Sequence, residues 1–249
     1  MKQPDSPSPP NAGESRAELD GLVVNIELTL ISITQGVALY FLIDNARALW
    51  LGPRPGDWLY AASGLVVLLL FWSRAMMHTL TLIRWPLEFV HNFFYVACAM
   101  FEAIMFAHLG HPSAWFALNA ALAVLAECLF IFDQRLIRLR RAEASRAGSA
   151  PRAAGTELYA LIAADQRLNI RLLVPVLLAL YLGAWLVWRQ TAADDVASAV
   201  TPTSARNLEL LLLAFQLIGL LVYLTTSVRQ FARLAPLIVR ARGEWRSAD

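Results

Sequence analysis

LEFVHNFFYVACAMFEAIMFAHLGHPSAWFALNAALAVLAECLFIF, residues 87–132, decides the fold. It holds two apolar runs, 87–108 and 113–132, on either side of the turn Gly110, His111, Pro112. Each run has about the 20 residues that a helix rising about 1.5 Å per residue needs to cross the hydrocarbon of a bilayer. Gly and Pro punctuate the join, so the stretch reads as a helical hairpin at membrane depth.

Four more windows of this kind lie outward of it, at 22–43, 58–80, 172–188 and 208–228. Arg74 and His78 interrupt the second window. The fifth is short and carries Pro175 near one end, which predicts a kink. Composition agrees: 249 residues, 58% hydrophobic, 16% charged, mean hydropathy +0.51. Disorder throughout, a collagen-like repeat and a disulfide scaffold are excluded. The expected fold is all-α, a polytopic integral membrane protein built as a six-transmembrane-helix bundle.

Charge placement orients it. Net charge is +2, too small to imply a nucleic-acid partner, and Lys2 is the sole Lys beside 20 Arg. Cytoplasmic segments retain Lys and Arg. With the N-terminus inside, 17 of the 21 cations fall on the inner side, leaving Arg47, Arg54, Arg189 and Arg206 outside. Six spans with cytoplasmic N- and C-termini satisfy this asymmetry. Trp50, Trp58, Trp185 and Trp188 then sit at outer ends of spans as interfacial anchors. An Arg, Ala and Leu bias points to a GC-rich bacterial genome, hence a multi-pass protein of a bacterial inner membrane.

The expected organisation is a flexible cytoplasmic tail at 1–21, helices one to four over 22–132, an Arg-rich cytoplasmic loop at 133–171, helices five and six over 172–228, and a tail at 229–249. The first 21 residues are polar, without the apolar core of a cleavable signal peptide. Within the loop, residues 156–171 have helical spacing and lead toward span five. Its basic residues offer a surface to anionic lipids of the cytoplasmic leaflet. Spans one and six share a central Gln (Gln35, Gln216) and a nearby Gly (Gly36, Gly219), too little to establish an inverted repeat.

Polar groups at membrane depth mark candidate chemistry, because each costs several kcal/mol when left facing lipid. On span three His91, Tyr95, Cys98 and Glu102 share one helical face; on span four Asn119 and Glu127 do. Small residues four apart, Ala99, Ala103 and Ala107 against Ser113, Ala117 and Ala121, favour close approach of the two helices. Counting from Gly110 puts Glu102 level with Asn119 and His91 level with Glu127, and sets Cys98 and Cys128 at different heights, which argues against a disulfide. Glu27, Arg74, His78 and Asn92 fall near the same inner depth as His91. The predicted path is Glu102, Glu127, His91, Glu27 and Asn119, supported by Arg74, His78, Asn92 and Tyr95.

Such a set suits an ion or proton path, because burial and neighbours bring carboxylates and imidazoles into exchange range. A divalent metal or haem is a weaker reading: there is no HExxH, and His78 and His91 flank one turn. Plain structural pairing accounts for the same residues. No P-loop, GxGxxG or nucleophile elbow signals an enzyme, and no cofactor is expected. The function expected is a small ion- or proton-linked channel or transporter, with homo-oligomerisation. The alternative is a non-transporting subunit or sensor that docks a partner through its Arg-rich loop and tail.

Overall fold

The computed structural model describes residues 12–54, 56–83, 88–146, 153–197 and 202–246, and these form helices and turns only. The helices are α1 (Ala12–Trp50), α2 (Trp58–Leu82), α3 (Phe89–Phe106), α4 (Pro112–Arg146), α5 (Ala153–Leu168), α6 (Val174–Ala197) and α7 (Pro202–Arg246). One π-helical turn, Asn169–Leu173, joins α5 to α6 without a break. Among the described residues six stretches are long and apolar enough to cross a membrane: Glu18–Trp50, Trp58–Leu82, Phe89–Phe106, Pro112–Ala142, Gly155–Thr191 and Ser204–Ala241. The chain is thus all-helical and of multi-pass membrane type.

Neighbour contacts close the helices into a ring in the order α1, α2, α7, α6, α4, α3, with α5 packed on α7 and α4 at one end. The joint between α6 and α7 is the loosest of the six. The core follows from this ring: Leu42, Tyr60, Val67, Phe106, Trp115, Leu213 and Leu220 point inward and are buried. Large apolar side chains such as Ile33, Tyr40, Phe93, Met100, Phe215 and Val222 face outward. That inside-out distribution is what a lipid solvent permits, since lipid is as apolar as the core.

Helix lengths differ in a way that windows of 20 residues do not convey. At about 1.5 Å per residue, α3 with 18 residues is about 27 Å long, α4 with 35 about 52 Å and α7 with 45 about 67 Å. The surplus gathers at the end where α2 meets α3. There Met77, Leu82, Ile137, Leu158, Tyr159, Ile162, Leu234, Leu237 and Ile238 build a second apolar core. The loop expected at 133–171 and the tail expected at 229–249 are therefore largely helix over the described residues, because each carries an apolar stripe that the others bury. The N-terminal tail gives way to helix from Ala12; the remainder, residues 1–11, lies outside the described residues.

Among the described residues two glycines have positive φ, Gly56 (93°) and Gly110 (78°), both in turns at the end opposite this second core. Gly64 has a different job. A Cβ there would stand 2.8 Å from a Leu42 methyl carbon and 3.0 Å from the Phe106 ring, so its absence lets α1, α2 and α3 close on one another.

Candidate functional site: a column of buried polar groups

Helices α2 and α7 run in the same direction, and their polar residues are in step. Tyr60 and Arg74 lie 14 residues apart on α2; Glu209, Gln216 and Tyr223 lie seven apart on α7. Seven residues is close to two helical turns, so each set stays on one face, directed at the ring's interior. The result is a series of polar rungs along the bundle.

At the end near Gly110, Tyr60 donates to Glu209 Oε1 at 2.7 Å, and Arg206 lies 2.8 Å from that same oxygen and 2.5 Å from Asp57. The next rung is neutral. Trp115 Nε1 donates to Gln216 Oε1 (2.9 Å), Gln216 Nε2 to Asn119 Oδ1 (3.3 Å), and Asn119 Nδ2 to the Trp115 carbonyl (2.8 Å). Edge-to-face packing of Tyr60 on Trp115 joins the two rungs.

Glu102 comes next. It is 0% exposed, and its Oε2 accepts from Gln35 Nε2 at 3.0 Å. Its Oε1 has no partner. Beyond it lies a cavity of about 80 Å³ lined by Glu102, Asn119, Tyr181, Arg74 and Tyr223 among apolar side chains such as Val67, Ala123 and Leu177. A buried water needs about 10–15 Å³ by this measure, so there is volume for water, but the wall is largely apolar and offers polar partners only at these few side chains.

Arg74 closes the far side of the cavity. Its guanidinium pairs with Asp165, donates to Asn169 Oδ1 (3.1 Å) and lies 5.4 Å from the centre of the Tyr223 ring. Tyr223 donates to the same Asn169 oxygen. Asn169 opens the π turn, which carries its side chain to this junction.

The last rung lies beside the second core. Asp133, 0% exposed, has His78 Nδ1 at 2.7 Å from Oδ2 and His91 Nδ1 hydrogen-bonded at 2.9 Å to Oδ1. His91 and Asn92 both act on the buried Glu27, His91 by charge and Asn92 by a side-chain hydrogen bond. One carboxylate thus ties α2, α3 and α4, and Glu27 adds α1. At the rim Arg140 lies 3.7 Å from Glu88.

Several expectations change. His91 meets Asp133, not Glu127, because α4 continues straight through Asp133 and puts that residue, not a loop, at His91's height. Glu127 is half-buried with one oxygen unpartnered and is not among the cavity-lining residues, a position taken by Ala123 and Ala126 on the inward face. Glu102 bonds to Gln35 and not to Asn119, though both face the same cavity. Glu27, Asn92, His91 and His78 do gather. Tyr95 is buried against Phe71 with stacked rings 5.0 Å apart. Cys98 is buried and Cys128 exposed, both free. Among the described residues no group of three or more His, Cys, Asp or Glu is placed to hold a metal.

Missed from the sequence were Asp133, Asp165, Asn169, Gln216, Tyr223 and Glu209 as members of this column. The seven-residue repeat of Glu209, Gln216 and Tyr223 was the available signal. Compared with family models, with curated proteins and with solved structures, the chain matches none.

Proposed function

We propose that this protein is a small proton- or cation-linked transporter or channel, with Glu102 as its central exchange group. One observation carries the reading: a wholly buried carboxyl group that lines a partly open pocket in the helix ring and has an amide, not a cation, as its partner. Among the described residues, four other buried acids are ion-paired or lie against imidazoles, Asp165 with Arg74, Asp57 and Glu209 with Arg206, Asp133 with two His. Ion pairing accounts for these four and does not account for Glu102, nor for Glu27, which has His91 and Asn92 near it but lines no cavity. A carboxyl group in such a place exists as the acid or with a bound cation, and exchange between these states moves charge.

The rungs on either side supply a route. From the cavity, Asn119 and Gln216 lead toward Tyr60 and Glu209, and Arg74 and Asp165 lead toward His78, Asp133 and His91. Asp133 takes the role first given to Glu127, with His91 as relay and Glu27 beside it. In this reading both termini face the cytoplasm of a bacterial inner membrane, following the Arg distribution. Exposed Arg135, Arg138, Arg229, Arg233 and Arg240 on α4 and α7 then meet anionic headgroups. A homo-oligomer is part of the proposal too. Asn25, Thr29 and Ser32 share the outward face of α1; the two hydroxyls bond back to their own helix, and the Asn25 amide is the group there that a second copy would pair.

Purified protein in liposomes tests this. An imposed proton or alkali-cation gradient should drive flux that Glu102→Gln reduces at least tenfold and Glu127→Gln leaves near wild type. Unchanged flux in Glu102→Gln would remove Glu102 from its role. Absence of flux under every gradient would favour the second reading, a non-transporting subunit. The packed extension of α4, α5 and α7, with its own apolar core, is the observation that speaks for a docking platform.

A further inference from the structure

The pocket that Glu102 lines is closed along the bundle axis. On one side the rung of Trp115, Asn119 and Gln216 shuts it; on the other the junction of Arg74, Asp165, Asn169 and Tyr223 does. It is nevertheless partly open, so its mouth lies in the wall. That wall comes from α2, α3, α4, α6 and α7, and its weakest joint is the one between α6 and α7. Chain winding explains the weakness: α5 packs on α7, the π turn follows, and beyond it α6 packs chiefly on α4 and little on α7. Leu177 and Tyr181 line the pocket from one side of this seam, Leu220 and Tyr223 from the other. The outward side chains of the two helices, Leu182, Leu186, Phe215 and Val222, are apolar. The mouth therefore faces hydrocarbon and admits lipid-soluble molecules.

Inside, one polar group lacks a partner. Asn119 uses both ends of its amide, Tyr223 donates to Asn169, and Tyr181 shares a side-chain hydrogen bond with Gln216. Glu102 Oε2 accepts from Gln35, and the Tyr95 hydroxyl, within electrostatic reach of Glu102, can serve Oε1. Arg74 is different. Its two Nη atoms reach Asp165 and Asn169, while its Nε–H is buried and unpartnered, in a residue 5% exposed. An arginine cannot shed that proton, so the donor asks for an acceptor. The acceptor is neutral, because Asp165 already balances the guanidinium and a further anion would be stranded in hydrocarbon. Size sets the rest. A cavity of about 150 Å³ encloses one benzene ring, and this one holds about 80 Å³, which suits a single chain and not a ring.

We propose that the pocket binds a neutral single-chain amphiphile, an alkyl chain with an oxygen acceptor at its head, which enters from the bilayer between α6 and α7 and accepts a hydrogen bond from Arg74 Nε. The proposal goes beyond exchange at Glu102 and does not depend on it. To test it, the full chain in phosphatidylcholine liposomes is photolabelled with a diazirine-bearing 1-decanol, and the adducts are mapped by mass spectrometry. Labelling should saturate and concentrate on Leu177, Tyr181, Leu220 and Tyr223. An excess of about tenfold 1-decanol should remove most of it, and the same excess of decane should not. Ala126→Leu, which narrows the pocket from α4, should cut the adduct about fivefold. Labelling that never saturates and spreads over the outward Phe215 and Val222 would overturn the site; a pocket that holds only water gives this result. A full adduct in Ala126→Leu would overturn it too, and competition on the wild type decides the case if that variant does not fold. Equal competition by decane would remove the Arg74 bond and with it the proposed class. Flux lost in Glu102→Gln without a saturable adduct in the wild type would remove the ligand and leave the exchange group. A saturable adduct with no flux under any gradient would keep the ligand and remove transport.

Discussion

Replacing Asp165 by Asn tests whether the Arg74 junction holds the bundle together. In the wild type the Arg74 and Asp165 side chains are 6% and 7% exposed and pair directly. In Asp165→Asn the guanidinium keeps only neutral partners, Asn169 and Tyr223, and stays charged because an Arg side chain does not give up its proton in proteins. Removing one member of a buried pair costs about 3–5 kcal/mol, most of it the penalty of the charge left behind. At about 1.4 kcal/mol per decade this lowers the folded-to-unfolded ratio by roughly two to three and a half orders of magnitude. The double variant Arg74→Met, Asp165→Leu removes both charges. It should recover most of the loss and retain a cost of about 1 kcal/mol at Asn169, whose Oδ1 loses the Arg74 donor but keeps Tyr223, and whose Nδ2 loses Asp165 Oδ2 but keeps the Asp165 carbonyl. Equilibrium unfolding in mixed micelles, followed by tryptophan emission, measures all three proteins. A single variant within about 0.5 kcal/mol of wild type, or a double variant no better than the single, would refute the claim that the uncompensated charge dominates.

Two further perturbations probe the packing around the column. Gly64→Ala places a methyl group 2.8 Å from Leu42 and 3.0 Å from Phe106, so it should destabilise by about 1–3 kcal/mol in the same assay, whereas Gly36→Ala, with open space around its Cβ position, should be near neutral. Gln216→Leu strands Trp115 Nε1 and Asn119 Oδ1 together, at a cost of about 1–3 kcal/mol, and should shift the Trp115 emission component; an unchanged spectrum would mean water has taken the amide's place.

The six spans were legible because lipid imposes one requirement, about 20 apolar residues per crossing, that sequence displays directly. The column was legible only in part. Depth counting within the α3 and α4 hairpin placed Glu102 and Asn119 on one cavity, since a tight turn fixes the relative height of its two helices. The same counting paired His91 with Glu127 because it stopped the fourth span at residue 132, one short of Asp133. Apolar windows locate where hydrocarbon begins and say nothing about where a helix ends. Residues supplied by distant helices were beyond its reach: Gln35 meets Glu102 across 67 positions and Arg74 meets Asp165 across 91, and those pairings depend on the ring order. Gln35 and Gln216, which look like a faint repeat in the sequence, are instead two rungs of the column, one at Glu102 and the other at Trp115 and Asn119.

The π turn between α5 and α6 acts as a phase shifter. Inward residues of α5 include Leu158, Ile162 and Gln166, and those of α6 include Val174, Tyr181 and Ala184. In an uninterrupted α-helix these two sets would point in directions well apart around the axis. The wider turn absorbs one additional residue, worth about 100° of rotation, and brings the two faces back into line. A single helix can therefore seal the second core with its first half and wall the Glu102 cavity with its second, so the spacing between those two compartments is set by backbone winding as well as by side-chain fit.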